Sequence, residues 1–87
     1  MRKIIFLDKA WKDINSLDDL QTNISIFKIF RLIEECRRTP FKGIGKPEAL
    51  KGDFKGYWSR RINETDRLIY RVEEDIIYIV SILGHYK

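Results

Sequence analysis

Residues 67–83, RLIYRVEEDIIYIVSIL, decide the fold because they contain two apolar runs separated by the acidic tripeptide at positions 73–75. Both runs are rich in isoleucine, valine and tyrosine, which favour strands, and the polar connector has the length of a hairpin loop. The second run is apolar on both faces, which is typical of a strand inside a sheet. The pattern predicts an antiparallel hairpin of strands 66–72 and 76 to about 86, with the second strand central.

The segments before this hairpin extend the prediction towards the N-terminus. Residues 54–62 are a third candidate strand, joined to the hairpin by the polar tripeptide at 63–65. Residues 39–53 contain both prolines and three of the five glycines, which predicts a loop. Loops of this length in small domains are usually functional or disordered.

Two helices and a first strand are predicted in the N-terminal part. Residues 2–7 form a short apolar run typical of a strand, and Asp8 is placed to cap a following helix. Asp18 and Asp19 predict a break near residues 18–22, after which a second helix starts around Thr22 or Asn23 and ends before Pro40. The apolar positions at helical spacing are Ala10, Trp11, Ile14 and Leu17, then Ile26, Ile29, Phe30, Ile33 and Cys36.

The order of elements predicts one α+β domain over residues 1–87, with the order β-α-α-β-β-β. Two N-terminal helices are expected to pack on one face of an antiparallel sheet. A chain of 87 residues has room for one core and no deep internal pocket, which excludes a large cofactor-binding enzyme. We therefore expect no cofactor.

Composition excludes several other classes of protein. The single cysteine, Cys36, rules out a disulfide framework, and with a single histidine, His85, we expect no metal site. The 13% aromatic content argues against a disordered chain. The N-terminal apolar run is too short for a signal peptide, and no stretch has the length of a membrane span. We expect a cytoplasmic protein without membrane contact.

The positive charge is concentrated in one segment. The formal net charge is +4, but residues 37–61 alone carry eight lysines and arginines against Glu48 and Asp53. Phe41, Phe54, Tyr57 and Trp58 lie within the same segment. Basic residues interleaved with aromatic residues suit a nucleic acid, although a solvated basic loop has the same composition.

Strand pairing predicts which residues share a face of the sheet. If Val72 pairs with Ile76, Tyr70 lies opposite Tyr78 on the face that the helices cover. The helix-free face then carries Arg67, Ile69, Arg71, Ile77, Ile79, Ser81 and His85.

The preceding hairpin brings a further arginine to the helix-free face. Pairing Ile62 with Asp66 places Arg61 there, whereas a slip of one residue exchanges Arg61 for Arg60. Glu48, in the neighbouring basic loop, is placed to reach over the rim of the sheet.

These side chains suit metal-free cleavage of RNA, in which the ribose 2′-OH attacks the adjacent phosphate. Glu48 is the candidate base, His85 the candidate acid and Arg67 the group that binds the phosphate. A shallow site on so small a domain is poorly equipped to align RNA, so we expect a partner to hold the substrate. Simpler alternatives remain at this point: a surface histidine, a loop salt bridge of Glu48 with Lys46 or Lys51, and an edge-protecting Arg67.

Ordered motifs over residues 37–86 closely resemble the YoeB (Txe) toxins of the RelE/ParE toxin–antitoxin superfamily. The motifs are RRTPF at 37–41, GIGKPEALK at 43–51, GYWSRRI at 56–62, RLIY at 67–70 and the pair His85-Tyr86. Two positions depart from the family pattern: Lys87 follows the His-Tyr pair, and Thr65 stands where an acidic residue is familiar.

The resemblance implies a RelE-like fold and a ribosome-dependent mRNA endoribonuclease that acts in the ribosomal A site. It implies catalytic roles for Glu48, Arg67, His85 and Tyr86, with Lys46, Lys51 and Arg61 meeting RNA. It also implies a YefM/Phd-type antitoxin. The toxin would be bound to operator DNA only through its complex with this antitoxin. Whether the toxin forms a homodimer is left open.

Two other functions compete with the nuclease. A non-catalytic toxin of the ParE type, which inhibits DNA gyrase, shares the fold implied by the resemblance. A plain RNA-binding module that blocks the ribosome is the second. Glu48, Arg67 and His85 together favour the enzyme, because a protein that only binds has no need of that set.

Overall fold

The computed structural model describes residues 1–17 and 24–84. The predicted break at 18–22 and the residues His85 and Tyr86 lie outside this part of the chain. In chain order the elements are β1 (Lys3–Phe6), α1 (Asp8–Asn15), α2 (Ile26–Arg38), β2 (Glu48–Ala49), β3 (Tyr57–Arg61), β4 (Arg67–Val72) and β5 (Ile76–Ser81). A short 3-10 turn, Gly52–Phe54, lies between β2 and β3.

The strands form one five-stranded sheet in the order β1-β5-β4-β3-β2. The α+β class, the two helices before the hairpins and the interior place of β5 are confirmed. Two details differ from the expectation. The two-residue β2 lies in the predicted loop, and β1 runs parallel to β5, so the sheet is mixed rather than antiparallel throughout.

The N-terminal ends of both helices differ from the prediction. Leu7 occupies the N-cap of α1, and Asp8 is the first helical residue without a side-chain capping bond. The backbone of Ser25 is extended, and its hydroxyl accepts a hydrogen bond from the Phe27 N–H at 3.2 Å, so α2 starts at Ile26 rather than at 22 or 23. The predicted end before Pro40 is confirmed, since α2 stops at Arg38.

The buried side of each helix is rotated slightly from the predicted stripe. In α2, Leu32 is buried, whereas Ile26 and Phe30 are 37% and 47% exposed. In α1, Trp11 of the predicted stripe is exposed, whereas Asp13 is buried beside Ala10. The main core joins the helices to the sheet through Ala10, Leu17, Ile29, Leu32, Ile33, Cys36, Ile62, Leu68, Tyr70, Ile77, Ile79 and Ile82.

The β4–β5 register differs by one residue from the prediction. Val72 pairs with Ile77 and Tyr70 with Ile79, because the Glu73 N–H donates to the Ile76 carbonyl at 2.8 Å and closes a tighter turn. Ile77 and Ile79 therefore point into the core, and their predicted place on the helix-free face is wrong. The register shifts between Ile69 and Tyr70, which places Ser81 opposite Ile69. Ser81 therefore lies on the helix-free face, as predicted.

The β3–β4 register is confirmed. The Ile62 N–H donates to the Asp66 carbonyl at 3.0 Å, and Arg61 lies opposite Arg67. β3 is shorter than the predicted strand 54–62, because Phe54 belongs to the 3-10 turn and the strand starts at Tyr57. The pairing places Arg61 on the helix-free face and Arg60 on the core face.

Candidate functional site

The helix-free face is the side of the sheet opposite the two helices. Directly paired residues share a face of a sheet, so the pairings define its members. They are Lys3, Ile5, Glu48, Tyr57, Ser59, Arg61, Arg67, Ile69, Arg71, Ile76, Tyr78 and Ser81. Ser59 and Ile69, at its centre, are buried, and most of the charged side chains lie around them.

Glu48 lies on the edge strand β2 rather than in a loop. It pairs with Ser59, which pairs in turn with Ile69, so the carboxylate starts a row that crosses the face. Strands are spaced about 4.8 Å apart, which places the Glu48 backbone about 10 Å from β4. Pairing with β3 fixes the direction in which this exposed glutamate leaves the backbone.

Arg61 and Arg67 form the next row of the face. They lie directly opposite each other at the end of the β3–β4 hairpin, where like charges destabilise a sheet. Neither guanidinium forms an ion pair or a hydrogen bond with a side chain in residues 1–17 and 24–84. Two adjacent arginines without an acidic partner in the described chain are a candidate site for an anion. Because β4 is the middle strand, the edge-protecting role considered for Arg67 is wrong.

Arg60, on the other side of β3, is fully buried and supports the loop before Glu48. Its guanidinium donates to the carbonyls of Thr39, Lys42 and Ile44 and to the Tyr70 hydroxyl. These bonds satisfy most of its donors, which a buried arginine requires. Successive side chains of a strand point to opposite faces, so the sequence itself indicates that only one of the neighbours Arg60 and Arg61 can reach the solvent.

Tyr70 extends the same buried network. Its hydroxyl donates to the Pro40 carbonyl at 2.7 Å, and burial raises the pKa of Tyr70 to about 12. Burial likewise raises the pKa of the Cys36 thiol to about 11. Both groups are therefore neutral at physiological pH, as a core position requires.

The end of the loop approaches β3 closely. The Gly45 carbonyl accepts from the Arg61 N–H at 2.7 Å, and Gly45 has φ 82°, with Leu32 and Arg60 so near that a Cβ would lie 3.1 Å from each. Lys46 follows with φ 50° and is exposed. Lys51 is exposed at the N-cap of the 3-10 turn. Both predicted RNA-contacting lysines thus flank β2.

Asp13 fixes the position of the segment after β5. Its carboxylate accepts from the Ile82 and Leu83 N–H groups at 2.9 and 3.1 Å, and the Lys9 ammonium contacts both Asp13 and the Leu83 carbonyl. Burial alone would raise the pKa of Asp13, but these donors together lower it below its usual 3.8. The sequence analysis missed Asp13, although its spacing from Ala10 and Leu17 places it on the buried side of α1.

The end of the described chain lies beside Arg67. The Arg67 N–H donates to the Gly84 carbonyl at 3.2 Å, and the Gly84 N–H donates to the Asp66 carboxylate at 2.8 Å. His85 follows Gly84 in the chain. The predicted roles of His85 and Tyr86 fall on residues outside the described part, so they stay predictions.

No group of three or more histidine, cysteine or acidic side chains is arranged to hold a metal ion in residues 1–17 and 24–84. In the same part of the chain, neither helix is long and apolar enough to cross a membrane.

Residues 6–86 match the family model described as the YoeB-like toxin of bacterial type II toxin–antitoxin systems. The chain is also 44% identical to a toxin YoeB of Streptomyces coelicolor over 84 residues, which cover 97% of this chain and 99% of that protein. The chain belongs to the YoeB-like toxins. The resemblance inferred from the motifs over residues 37–86 is thereby confirmed and extends through the helices.

Solved structures of YoeB toxins have the same fold. A YoeB/ParE toxin from Agrobacterium tumefaciens is 39% identical with a TM-score of 0.87, covering 97% of this chain and 99% of that one. A YoeB dimer from Staphylococcus aureus has a TM-score of 0.85 at 37% identity and 98% coverage of both chains. The toxin in a heterotetrameric YoeB–YefM complex from S. aureus has a TM-score of 0.83 at 37% identity and 99% coverage of both.

Proposed function

We propose that this YoeB-like toxin is a ribosome-dependent mRNA endoribonuclease that uses no metal ion. The observation that carries the proposal is the pair Arg61 and Arg67, which face each other without an acidic partner in the described chain, one row from the Glu48 carboxylate. The arginines supply an anion site, and the carboxylate supplies a proton acceptor beside it. RNA provides both the anion and the internal hydroxyl that such a pair of groups can use.

The proposed reaction is attack of the ribose 2′-OH on the adjacent phosphorus. Glu48 takes the 2′-OH proton as the O2′–P bond forms, and His85 gives a proton to O5′ as the P–O5′ bond breaks. Arg67, with Arg61, stabilises the charge that collects on the phosphate oxygens in the transition state. The products are a 2′,3′-cyclic phosphate and a 5′-hydroxyl.

His85 and Tyr86 are assigned from the sequence and the family resemblance. The described chain supports that assignment at one point, because Asp66 and Arg67 bind Gly84 and so bring the end of the segment to the arginine pair. Lys46 and Lys51, on either side of Glu48, are proposed to bind the RNA phosphates that flank the cleaved bond.

The ribosome supplies the alignment of the RNA that the small domain cannot provide alone. The helix-free face is the surface of a small sheet, and alignment of the attacking hydroxyl with the leaving oxygen contributes much of the rate of such reactions. We propose that mRNA in the ribosomal A site is presented to this face already aligned. Free RNA is then a poor substrate.

A YefM-type antitoxin is the proposed inhibitor, in line with the S. aureus complex of YoeB with YefM. An acidic segment of the antitoxin would cover the basic face, and the toxin would be bound to operator DNA only through the antitoxin. A homodimer is the proposed form without antitoxin, as in the S. aureus YoeB dimer. We place the protein in the cytoplasm, where ribosomes are.

The direct test adds the purified protein to a translation reaction and maps new mRNA ends by primer extension. New ends within codons are expected with the wild type. Glu48→Gln should reduce cleavage by about 10²- to 10⁴-fold, the usual contribution of a proton-transfer group. Glu74→Gln, at an exposed acid in the β4–β5 turn, is the matched control and should cleave like the wild type.

The translation reaction and a gyrase supercoiling reaction together separate the competing functions. Arrest of translation without new ends would favour steric binding to the ribosome. Loss of supercoiling in a gyrase reaction, with translation unaffected, would favour a ParE-type toxin. Either result contradicts the nuclease.

A further inference from the structure

Three planar side chains form a third row on the helix-free face. Arg71, in the middle strand β4, pairs with Tyr57 of β3 on one side and with Tyr78 of β5 on the other. Adjacent strands are about 4.8 Å apart, so the three side chains leave the sheet next to one another. The row therefore places a guanidinium between two aromatic rings.

Ring contacts orient the planar groups of this row. The Arg71 guanidinium lies over the Tyr78 ring, 4.7 Å from its centroid. On the other side, the Tyr57 ring is in edge contact with Phe54, with the centroids 6.3 Å apart. All three members of the row are partly exposed, so a ligand can reach them.

Arg71 is an unexpected residue in the middle of a sheet. Its Nε is buried and has no hydrogen-bond partner in the described chain, which is a cost to the folded state. Its one ion pair, to Glu73, is 3.5 Å long and half-exposed, so it gives little stability. Because these contacts give little stability, the partly exposed Arg71 guanidinium is available to a ligand.

The position of the row relates it to the proposed cleavage site. Tyr57 and Arg71 are two residues along their strands from Ser59 and Ile69, which share a row with Glu48. Two residues of a strand span about 6.8 Å. RNA with a phosphate at the arginine pair and its 2′-OH near Glu48 would therefore reach this surface with an adjacent base.

We propose that Tyr57, Arg71 and Tyr78 form a base-stacking subsite for a nucleotide next to the cleaved bond. The subsite rests on the proposed function, since it assumes that RNA occupies this face. Bases stack on aromatic rings and on guanidinium planes, largely without regard to sequence. The subsite thus holds the RNA by its bases, while Arg61 and Arg67 hold it by its phosphate.

The test measures binding of the purified toxin to two fluorescein-labelled hexanucleotides by anisotropy. One is 2′-O-methyl oligoadenylate, which cannot undergo 2′-OH attack, and the other has the same backbone without bases. The wild type should bind the oligomer with bases about tenfold more tightly, within the range measured for stacking on an aromatic side chain. Equal affinity for the two oligomers would overturn the proposal.

Conservative variants separate stacking from charge. Arg71→Lys keeps the charge but loses the plane, so it should lose most of the preference for bases and bind the abasic oligomer like the wild type. Tyr57→Phe keeps the ring and should keep the preference. Phe27→Ala, at an aromatic residue of α2 that is 81% exposed, is the control and should change neither affinity. Equal weakening of both oligomers by Arg71→Lys would show a purely electrostatic role and overturn the subsite.

Failure of the subsite and failure of the proposed function give different results. If mRNA is cleaved on ribosomes but binding does not depend on bases, the function stands and the subsite is wrong. If binding depends on bases and on the Arg71 plane but no mRNA is cleaved, the subsite stands and the nuclease is wrong.

Discussion

Arg60 and Arg61 are neighbours in the chain with opposite environments. The side chain of Arg60 is buried and donates to three loop carbonyls, whereas Arg61 is exposed and faces Arg67. The first fixes the loop that leads to Glu48, and the second belongs to the proposed anion site. Side-chain alternation along β3 therefore gives these neighbours different environments, and only Arg61 belongs to the proposed site.

Substitution of these two arginines should affect different properties. Arg60→Met leaves several buried acceptors unpaired and should lower the free energy of unfolding by about 3–5 kcal/mol. Arg61→Met, at an exposed position, should stay within about 0.5 kcal/mol of the wild type. Urea denaturation measures both. Equal stability of the two variants would show that the Arg60 bonds do not stabilise the loop.

The Cys36 thiol should be unreactive in the folded protein. It is fully buried in the core, and its raised pKa, about 11, keeps it protonated at pH 8, whereas the thiolate is the reactive form. Labelling with iodoacetamide should therefore be slow in buffer and complete in denaturant. Rapid labelling of the native protein, followed by mass spectrometry, would contradict the buried placement.

Residue roles were predictable only in part. The pairing of Ile62 with Asp66 is correct, and it places Arg61 rather than Arg60 on the helix-free face. Sequence alone left the two arginines interchangeable, because the one-residue register depends on the geometry of the turn. The role of Arg60 depends on carbonyls 16 to 21 residues away, which no local pattern shows.

At the scale of elements, α1 holds the segment that follows β5. Asp13 binds the N–H groups of Ile82 and Leu83, and the same segment continues to Gly84, which contacts Arg67 and Asp66. A residue in the first helix thus determines the path of the chain towards His85. The helix and the end of the sheet are coupled by one carboxylate.

This coupling predicts a pH dependence of stability. The folded protein lowers the pKa of Asp13 below its usual 3.8, so the contribution of Asp13 is complete above about pH 5. It is lost as the pH falls below 3.8 through the folded value, because the unfolded state then binds the proton more readily. Asp13→Asn should cost about 2–3 kcal/mol at pH 7, the range for hydrogen bonds to a charged group.

Urea denaturation between pH 2.5 and 7 measures this effect. The difference in unfolding free energy between the wild type and Asp13→Asn should shrink below pH 4. Asp53→Asn, at an exposed acid of the 3-10 turn, is the control and should show no such convergence. A difference that is constant across the whole range would contradict the role of the Asp13 charge.

Element boundaries show what local patterns can and cannot predict. The end of α2 before Pro40 follows from steric exclusion and is correct. β2 has only two residues and exists through its pairing with β3, so its own sequence carries no strand signal. The β4–β5 register depends on whether the acidic connector uses three residues or a tighter turn, and the hydrophobic pattern fits both because β5 is apolar on each face.

At the scale of the whole molecule, folding redistributes the basic segment. Of the cations in residues 37–61, Arg60 is buried, and Arg37 pairs with Glu34 at 3.0 Å on α2. On the helix-free face, Arg61 lies with Arg67 and Arg71, which are outside this segment of the chain. The local charge excess along the chain therefore does not by itself define the basic surface of the folded protein.

The topology of the sheet explains why the parallel pairing of β1 with β5 was not predicted. β1 pairs in parallel with β5, more than 70 residues later in the chain. Such a contact arises from the packing of the helices over the sheet and not from either strand alone. The hairpins of residues 57–81, by contrast, are local, and their pairing brings the candidate groups of the helix-free face together.

The central claim is that this face promotes attack by the ribose 2′-OH on mRNA held in the ribosome. The most direct measurement uses ribosomes programmed with an mRNA that carries a single 2′-deoxynucleotide at the mapped cleavage position. We predict that the all-ribose mRNA is cut to a 2′,3′-cyclic phosphate and a 5′-hydroxyl, and that the 2′-deoxy mRNA stays intact. Cleavage of the 2′-deoxy mRNA, or a 5′-phosphate on the downstream product, would contradict the account.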